Sequence, residues 1–239
     1  MFKYSNLTPI SKIFFIGAGP GAIDLITIRG YNILIKTDII LYDALIFKKI
    51  LNFSPNSKKI FVGKKKNEKH ITQKIINEYL IYFAFHYNFI VRLKSGDPMI
   101  FSRINEELKI LEKYYIPYEI IPGITSALAA ASSSRRPLTK RNICRSISLF
   151  TTTFTKKKYI KYCQNNCTLI QYMSGKNIKK IINKLITIGY NEHTPIIIIE
   201  NCSYYNESIF YLKLKFLKNV ISNFTKPVII IIGNSLKNY

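Results

Sequence analysis

The 239-residue chain is long enough for one large domain or two small ones with a sizeable core, and its 48% hydrophobic and 13% aromatic residues exclude disorder. The net charge of +23 is spread along the whole sequence, so charge alone does not indicate a nucleic-acid or membrane surface. There is no run as long as a membrane span and no apolar leader at the start, so we expect a soluble, cytoplasmic protein without a signal peptide.

Short apolar runs alternate with amphipathic segments through the first half of the chain. In the amphipathic segments the apolar residues recur at helical spacing, as Ile76, Leu80 and Phe83 do. This alternation predicts a parallel sheet covered by helices. The predicted strands are 13–16, 39–42, 59–62, 89–93 and 118–121, and the predicted helices are 25–35, 72–86 and 105–113.

A second series of elements begins after Pro122 and Gly123. We therefore expect an N-terminal α/β domain, 1–122, and a C-terminal α/β domain, 123–239. The two most apolar runs, 196–199 and 228–232, are typical of buried parallel strands. Further strands are predicted at 147–151 and 168–172, helices at 125–132, 178–188 and 214–224, and an extended edge segment or hairpin at 203–211.

The cysteines and histidines do not indicate a metal site. Neither residue type shows the paired spacing of metal ligands, so free thiols in a reducing cytoplasm are the expectation, without a metal ion. The residues concerned are Cys144, Cys163, Cys167, Cys202, His70, His86 and His193.

Two turns follow predicted strands directly. Residues 17–21 (GAGPG) let the backbone approach a ligand closely, although an ordinary tight turn has the same pattern. Residues 95–98 (SGDP) lie at the carboxyl end of a buried strand, where open α/β sheets bind small ligands. There the Asp97 carboxylate is placed either to bind a ligand or to accept from its own turn.

Asp43 and Lys64 follow two predicted strands that we expect to be neighbours. Parallel strands would bring both side chains to the same edge of the sheet, where a carboxylate and an ammonium can accept and donate protons. The alternative is a solvated charge pair without a chemical role.

Taken together, these segments resemble the tetrapyrrole methylases, in particular the branch that methylates uroporphyrinogen III, over residues 13–233. The resemblance implies two α/β domains with a ligand cleft between them, usually in a homodimer. It implies transfer of two methyl groups from S-adenosylmethionine to C2 and C7 of uroporphyrinogen III, giving precorrin-2 for sirohaem or cobalamin. The matching segments include 16–21, 24–27, 41–45, 62–64, 91–98, 106–107, 122–126, 137–139, 172–173 and 200–201.

The resemblance also implies roles for particular residues. Asp43 would accept a proton and Lys64 would donate one, and no metal takes part. Arg103 and Arg141 suit a substrate with eight carboxylates. The residues implied to line the S-adenosylmethionine pocket are Pro20, Ser95, Gly96, Asp97, Ile100, Thr125, Ser126, Met173 and Cys202.

The chain departs from the family pattern at Ser95, Ser102 and Cys202, where the family usually has glycine; side chains there are expected to crowd a ligand held by backbone. Three other functions stay open. One is a related methylase acting on a later corrinoid precursor or on RNA. Another is a non-catalytic basic module that binds nucleic acid, although the chain has no recognition motif for it. The third, a dinucleotide oxidoreductase, rests on the first glycine turn alone.

Overall fold

The computed structural model describes residues 9, 11–63, 72–151, 167–173, 183, 185–187, 189–217, 224 and 227–237. The chain forms two compact units, Met1–Thr125 and Ser126–Tyr239, each built around a five-stranded sheet. The predicted α/β fold class is confirmed. The first unit ends at Thr125, whereas the sequence places the boundary at residue 122. None of the helices in the described part of the chain is long and apolar enough to cross a membrane.

The first unit contains an all-parallel sheet, as the alternating pattern predicts. Its strand order is β3-β2-β4-β1-β5, so β1 lies between β4 and β5. The strands are β1 (Lys12–Gly17), β2 (Ile39–Tyr42), β3 (Lys58–Phe61), β4 (Phe89–Lys94) and β5 (Tyr118–Ile121), and the helices are α1 (Ile28–Leu34), α2 (Gln73–Ala84) and α3 (Ile104–Lys113).

Each face of this sheet packs in its own apolar core. Ile13 and Phe15 of β1 lie in the core that contains residues of α2 and α3, whereas Ile16 lies with α1 on the opposite face. Because both faces are covered, the strands are almost continuously apolar. Ile90 of β4 belongs to the α2 and α3 face, and the pleat of the strand directs Arg92 and Lys94 to that same face.

Threonine caps determine where the first two helices begin. The helix predicted from residue 25 starts later, because Thr27 is extended and its Oγ1 accepts a hydrogen bond from the Gly30 amide at 3.1 Å. Thr72 caps α2 in the same way through the Ile75 amide, at 3.4 Å. Two 3-10 segments, Ile23–Leu25 and Lys48–Phe53, were not predicted.

The second unit contains a mixed sheet with the order β6-β7-β10-β8-β9. Its strands are β6 (Ser146–Thr151), β7 (Cys167–Tyr172), β8 (Pro195–Glu200), β9 (Ser208–Lys213) and β10 (Val228–Ile232), and its helix α4 (Ser126–Ser133) contacts β10. Only β6 and β7 pair in parallel, while β10 runs antiparallel to both of its neighbours.

The prediction that the two most apolar runs are parallel strands is therefore wrong. They are β8 and β10, which pair antiparallel over five residues from Val228↔Glu200 to Ile232↔Ile196. All five residues of β10 are buried, and burial on both faces produces an apolar run whichever way the strand points. The apolar pattern indicates burial, whereas the direction depends on the connections.

The remaining predictions in this unit have mixed outcomes. The extended segment predicted at 203–211 is present as β9, at the edge of the sheet and slightly later in the chain. Of the helix predicted at 178–188, residues 183 and 185–187 are described and are helical. Of the helix predicted at 214–224, Leu214–Phe216 forms a 3-10 turn, and most of the remainder lies outside the described residues.

Candidate active site

Three turns of the first unit come into backbone contact at the carboxyl ends of β1, β4 and β5. A Cβ atom added to Gly17 would lie 2.5 Å from the Gly123 Cα and 2.7 Å from the Gly96 carbonyl oxygen. Gly19 and Gly96 also exchange backbone hydrogen bonds, at 3.3 and 2.8 Å. The turns therefore form one surface made of backbone, without room for side chains between them. A ligand can approach peptide groups closely on such a surface.

Asp97 fastens two of these turns together. Its Oδ1 accepts from the Met99 amide at 2.7 Å, within its own turn, and its Oδ2 accepts from the Gly123 amide at 2.9 Å. Of the two roles open for Asp97, the turn contact is thus present and extends to the neighbouring strand. Ile100 follows in the same turn, where its amide donates to the Asp97 carbonyl at 3.3 Å.

The other pocket residues predicted in the first unit lie around the same turns. Pro20 is buried three residues after the end of β1, and Ser95 is half-buried directly after β4. Thr125 closes the set, since its Cα would be 3.9 Å from a Cβ on Gly96. Six of the predicted pocket residues, counting Gly96, Asp97 and Ile100, thus belong to the turns that follow β1, β4 and β5.

In the second unit, Ser126, Met173 and Cys202 lie at strand or helix ends. Ser126 begins α4, and the Cys202 thiol donates to its carbonyl at 3.9 Å. Met173 directly follows β7, has a positive φ of 57° and is 49% exposed. Because β7 and β8 are both antiparallel to β10, Met173 and Cys202 come after strands that end at the same edge of the sheet. Burial raises the pKa of Cys202 to about 12, with Glu207 adding to the effect.

The backbone is not strained at the three residues that stand where the family usually has glycine. Ser95, Ser102 and Cys202 are not among the described residues with a positive φ. The left-handed positions are instead next to them, for example Phe101 and Arg103 on either side of Ser102. The Ser102 hydroxyl donates to the Pro98 carbonyl and so stays within its own turn.

Asp43 lies just beyond β2 and pairs with a buried arginine of β4. The Arg92 Nη2 donates to Asp43 Oδ1 at 2.6 Å and to Glu107 Oε1 at 3.1 Å. Lys94, two residues further along β4, donates to Glu107 Oε1 at 3.1 Å and to the Ser102 carbonyl at 3.0 Å. The Arg92, Lys94 and Glu107 side chains are 1–2% exposed, so this ion network is almost fully buried.

The environment shifts the pKa values of the two cations in opposite directions. Burial would lower the pKa of Arg92, but the carboxylates of Asp43 and Glu107 raise it above the ordinary value. Burial lowers the pKa of Lys94, and the neighbouring positive charge of Arg92 lowers it further. The network therefore holds a permanent guanidinium beside a lysine whose charged form is disfavoured.

The network of Arg92, Lys94 and Glu107 was not predicted from the sequence. A signal was present, because two cations two residues apart in an otherwise apolar strand point to one face. Charges in a buried strand require a partner, and Glu107 of α3 supplies it.

Lys64, the predicted partner of Asp43, lies outside the described residues. The preceding Gly63 packs tightly against the residue after Asp43, since an added Cβ would be 2.3 Å from the Ala44 amide nitrogen. The ends of β2 and β3 are therefore adjacent, and the pairing of Asp43 with Lys64 stays a prediction.

The two arginines predicted to bind substrate have different environments. Arg103 adopts a left-handed conformation before α3 and makes a two-pronged contact with Glu106, at 2.7 Å for both hydrogen bonds. This contact raises the pKa of Arg103 and lowers that of Glu106. Arg141 is exposed in the turn between Lys140 and Cys144 of the second unit. The described parts of the chain hold no group of three His, Cys, Asp or Glu residues placed for a metal ion.

Comparison with known proteins identifies the family. The model of the tetrapyrrole (corrin/porphyrin) methylases matches residues 12–217. The chain belongs to this family. Among curated members of the tetrapyrrole methylases, it is 36% identical over 233 residues to the uroporphyrinogen-III C-methyltransferase of Bacillus subtilis, covering 94% of this chain and 91% of that protein. The enzyme of the same name from Cyanidium caldarium is 38% identical over 198 residues, 80% of this chain and 79% of that protein.

Longer family members match as well. The siroheme synthase of Hydrogenovibrio crunogenus is 35% identical over 236 residues, covering 96% of this chain but 50% of that protein, so the chain spans about half of its length. Among solved structures, uroporphyrin-III C-methyltransferase of Thermus thermophilus superposes with a TM-score of 0.82 at 27% identity, covering 94% and 92% of the two chains. The same enzyme has been solved in complex with S-adenosylhomocysteine, with a TM-score of 0.80 at 29% identity, covering 94% and 98%.

Proposed function

We propose that the protein methylates uroporphyrinogen III at C2 and C7 with S-adenosylmethionine, giving precorrin-2. The observation that carries this proposal is the match to the Bacillus subtilis uroporphyrinogen-III C-methyltransferase along 91% of that protein. The backbone contact of the three turns supports it, because their glycines leave peptide groups accessible to a ligand.

The residues of this chain fit S-adenosylmethionine as a methyl donor. The turns after β1, β4 and β5 would hold it, with Pro20, Gly96, Asp97 and Thr125 around it. Ser126, Met173 and Cys202 are the other residues that we propose for its binding. When bound, S-adenosylmethionine supplies an electrophilic methyl group on a sulfonium. The protein's contribution is to align this group with an electron-rich pyrrole carbon and to exclude water.

We assign proton transfer and substrate binding to charged side chains. Asp43 is 32% exposed at its carboxylate, so it can take up the proton that leaves as the macrocycle rearranges, and Lys64 would return one. Arg103 and Arg141 would bind substrate carboxylates, and a net charge of +23 attracts an eightfold acid. We further propose that the enzyme acts in the cytoplasm as a homodimer and needs neither a metal ion, nucleic acid nor a membrane.

An anaerobic assay tests the function. Purified protein is incubated with S-adenosylmethionine and uroporphyrinogen III, and the product is followed by mass and absorbance. We expect a substrate that has gained two methyl groups, with two S-adenosylhomocysteine molecules released. Later corrinoid precursors and RNA, offered with a labelled methyl donor, should stay unlabelled. Binding of S-adenosylhomocysteine without any methylation of uroporphyrinogen III would overturn the proposed substrate.

A further inference from the structure

Among the described residues of the buried ion network, Asp43 is the one with an accessible side chain. Its side chain is 32% exposed, whereas the side chains of Arg92 and Glu107 are 2% and 1% exposed. The network therefore leads from the interior of the first unit to one carboxylate at the edge of the sheet. Replacing buried ion pairs with apolar side chains often leaves stability unchanged or higher, so stability alone does not account for these charges.

The guanidinium of Arg92 is held in one orientation. Its Nε and Nη2 donate to Glu107 Oε1 at 3.3 and 3.1 Å, and its Nη1 donates to the Leu93 carbonyl at 3.3 Å. The remaining direction of the planar fork points to Asp43 Oδ1, at 2.6 Å. The described part of the chain gives no hydrogen bond to Asp43 Oδ2. Arg92 thus holds one oxygen of the carboxylate, and the other accepts no hydrogen bond from the residues that the structure describes.

We propose that Arg92 is a positioning residue that holds Asp43 by Oδ1 and leaves Oδ2 to receive the proton, and that Glu107 keeps Arg92 in this orientation. The inference rests on the proposed function in taking Asp43 as the proton acceptor. Glu107 has a second task, because Lys94 connects it to the Ser102 carbonyl at the end of the Asp97 turn. The acceptor and the turn proposed to bind the methyl donor are therefore anchored to the same buried carboxylate.

A double-mutant cycle tests this role. Arg92→Lys keeps the positive charge but loses the fork, and we expect kcat to fall by about 10- to 100-fold while the KM for S-adenosylmethionine stays within about twofold. If Arg92 acts through Asp43, adding Arg92→Lys to Asp43→Asn causes little further loss, since both changes disable the same step. Losses that multiply would overturn the positioning role.

Glu107→Gln provides a second, nearly isosteric variant should Arg92→Lys fail to fold, and the same absence of further loss with Asp43→Asn is expected. The matched control is Glu119→Gln. Glu119 also pairs with two cations, Lys12 and Arg29, but on the surface of the same unit. Its variant should retain the wild-type kcat; a loss equal to that of Glu107→Gln would show that any lost carboxylate pair has this effect.

Failure of the proposed function would be seen separately, as absence of methylation by the wild-type protein. The contact between Arg92 and Asp43 can be tested without measuring activity. Urea denaturation is compared for the wild type, Arg92→Lys, Asp43→Asn and the double variant. We expect the shift of the double variant's midpoint to be clearly smaller than the sum of the single shifts. Additive shifts would overturn the inference whether or not the wild type is active.

Discussion

Gly123→Ala tests whether the three turns are in backbone contact. A methyl group at this position would lie 2.2 Å from the Gly96 carbonyl oxygen and 2.7 Å from the Gly17 Cα. Ordinary contacts begin at 3.4 Å, so the oxygen must retreat by about 1 Å. The atoms that must move are backbone atoms, which cannot turn aside as the end of a flexible side chain can.

The size of the effect follows from two contributions. Overpacking of a filled site costs about 1–3 kcal/mol. Displacing the Gly123 amide from Asp97 Oδ2, now at 2.9 Å, costs about 1 kcal/mol more. We therefore expect the free energy of unfolding to fall by about 2–4 kcal/mol, which a domain of ordinary stability survives. Affinity for S-adenosylhomocysteine should fall by about tenfold or more, since a lost contribution of about 1.4 kcal/mol has that effect.

Urea denaturation and calorimetric titration with S-adenosylhomocysteine measure both quantities. Gly96→Ala is the matched control, because the one described atom within 4 Å of an added Cβ there is the Thr125 Cα, at 3.9 Å. Its cost is the left-handed φ of +67°, about 1–2 kcal/mol. If Gly123→Ala proves no more destabilising than Gly96→Ala and binds the ligand normally, the close contact of the turns is refuted.

Three further variants follow from the site. With Cys202 at a pKa of about 12 against 9.0 for a free thiol, the fold keeps a proton that the unfolded chain loses, so stability falls by about 1.4 kcal/mol per pH unit from pH 9 to 12. Urea denaturation across that range should show this loss removed in Cys202→Ala. Arg103→Ala should raise the KM for uroporphyrinogen III several-fold, as about 1 kcal/mol of carboxylate binding is lost, with little change in kcat. Asp97→Asn replaces one acceptor with a donor facing the Met99 or Gly123 amide, and should cost about 1–3 kcal/mol in urea denaturation.

For each of these three variants, a specific result would contradict the prediction. Equal alkaline slopes for wild type and Cys202→Ala would mean that the thiol is not held neutral by the fold. An unchanged KM in Arg103→Ala would mean that Arg103 pairs with Glu106 and does not bind the substrate. Wild-type stability in Asp97→Asn would mean that the two amides find other partners, and Asp97 would then not be the residue that joins the turns.

The first sheet could be predicted because its periodic pattern and its chain order agree. Apolar runs separated by helical segments allow few arrangements, and the carboxyl ends of parallel strands always meet at one edge. This is why turns as distant as Gly17, Gly96 and Gly123 could be expected to lie together. The sequence did not reveal how close they come, since the 2.5 Å that would separate a Cβ on Gly17 from the Gly123 Cα depends on the exact strand spacing.

The direction of β10 and the burial of Arg92 and Lys94 could not be predicted from the sequence. The direction of β10 does not affect its composition, because a strand buried on both faces is apolar in either direction. The environment of Arg92 and Lys94 depends on Glu107, which comes from a helix 15 residues further along the chain from Arg92. Charged residues are usually exposed, so a prediction from the strand alone leaves them at the surface.

The positions of the glycines bear on whether this chain retains its chemistry. Gly17 and Gly123 have no room for a Cβ, and Gly96 has a left-handed backbone, so each needs glycine for a stated reason. Ser95 and Ser102, where the family usually has glycine, have no positive φ, and the Ser102 hydroxyl stays within its own turn through the Pro98 carbonyl. The replacements therefore fall where the backbone accepts a side chain, while the backbone surface itself is intact. Loss of activity by crowding is consequently not expected from Ser102, and substitutions in the contact of the turns, such as Gly123→Ala, are the ones that should weaken ligand binding.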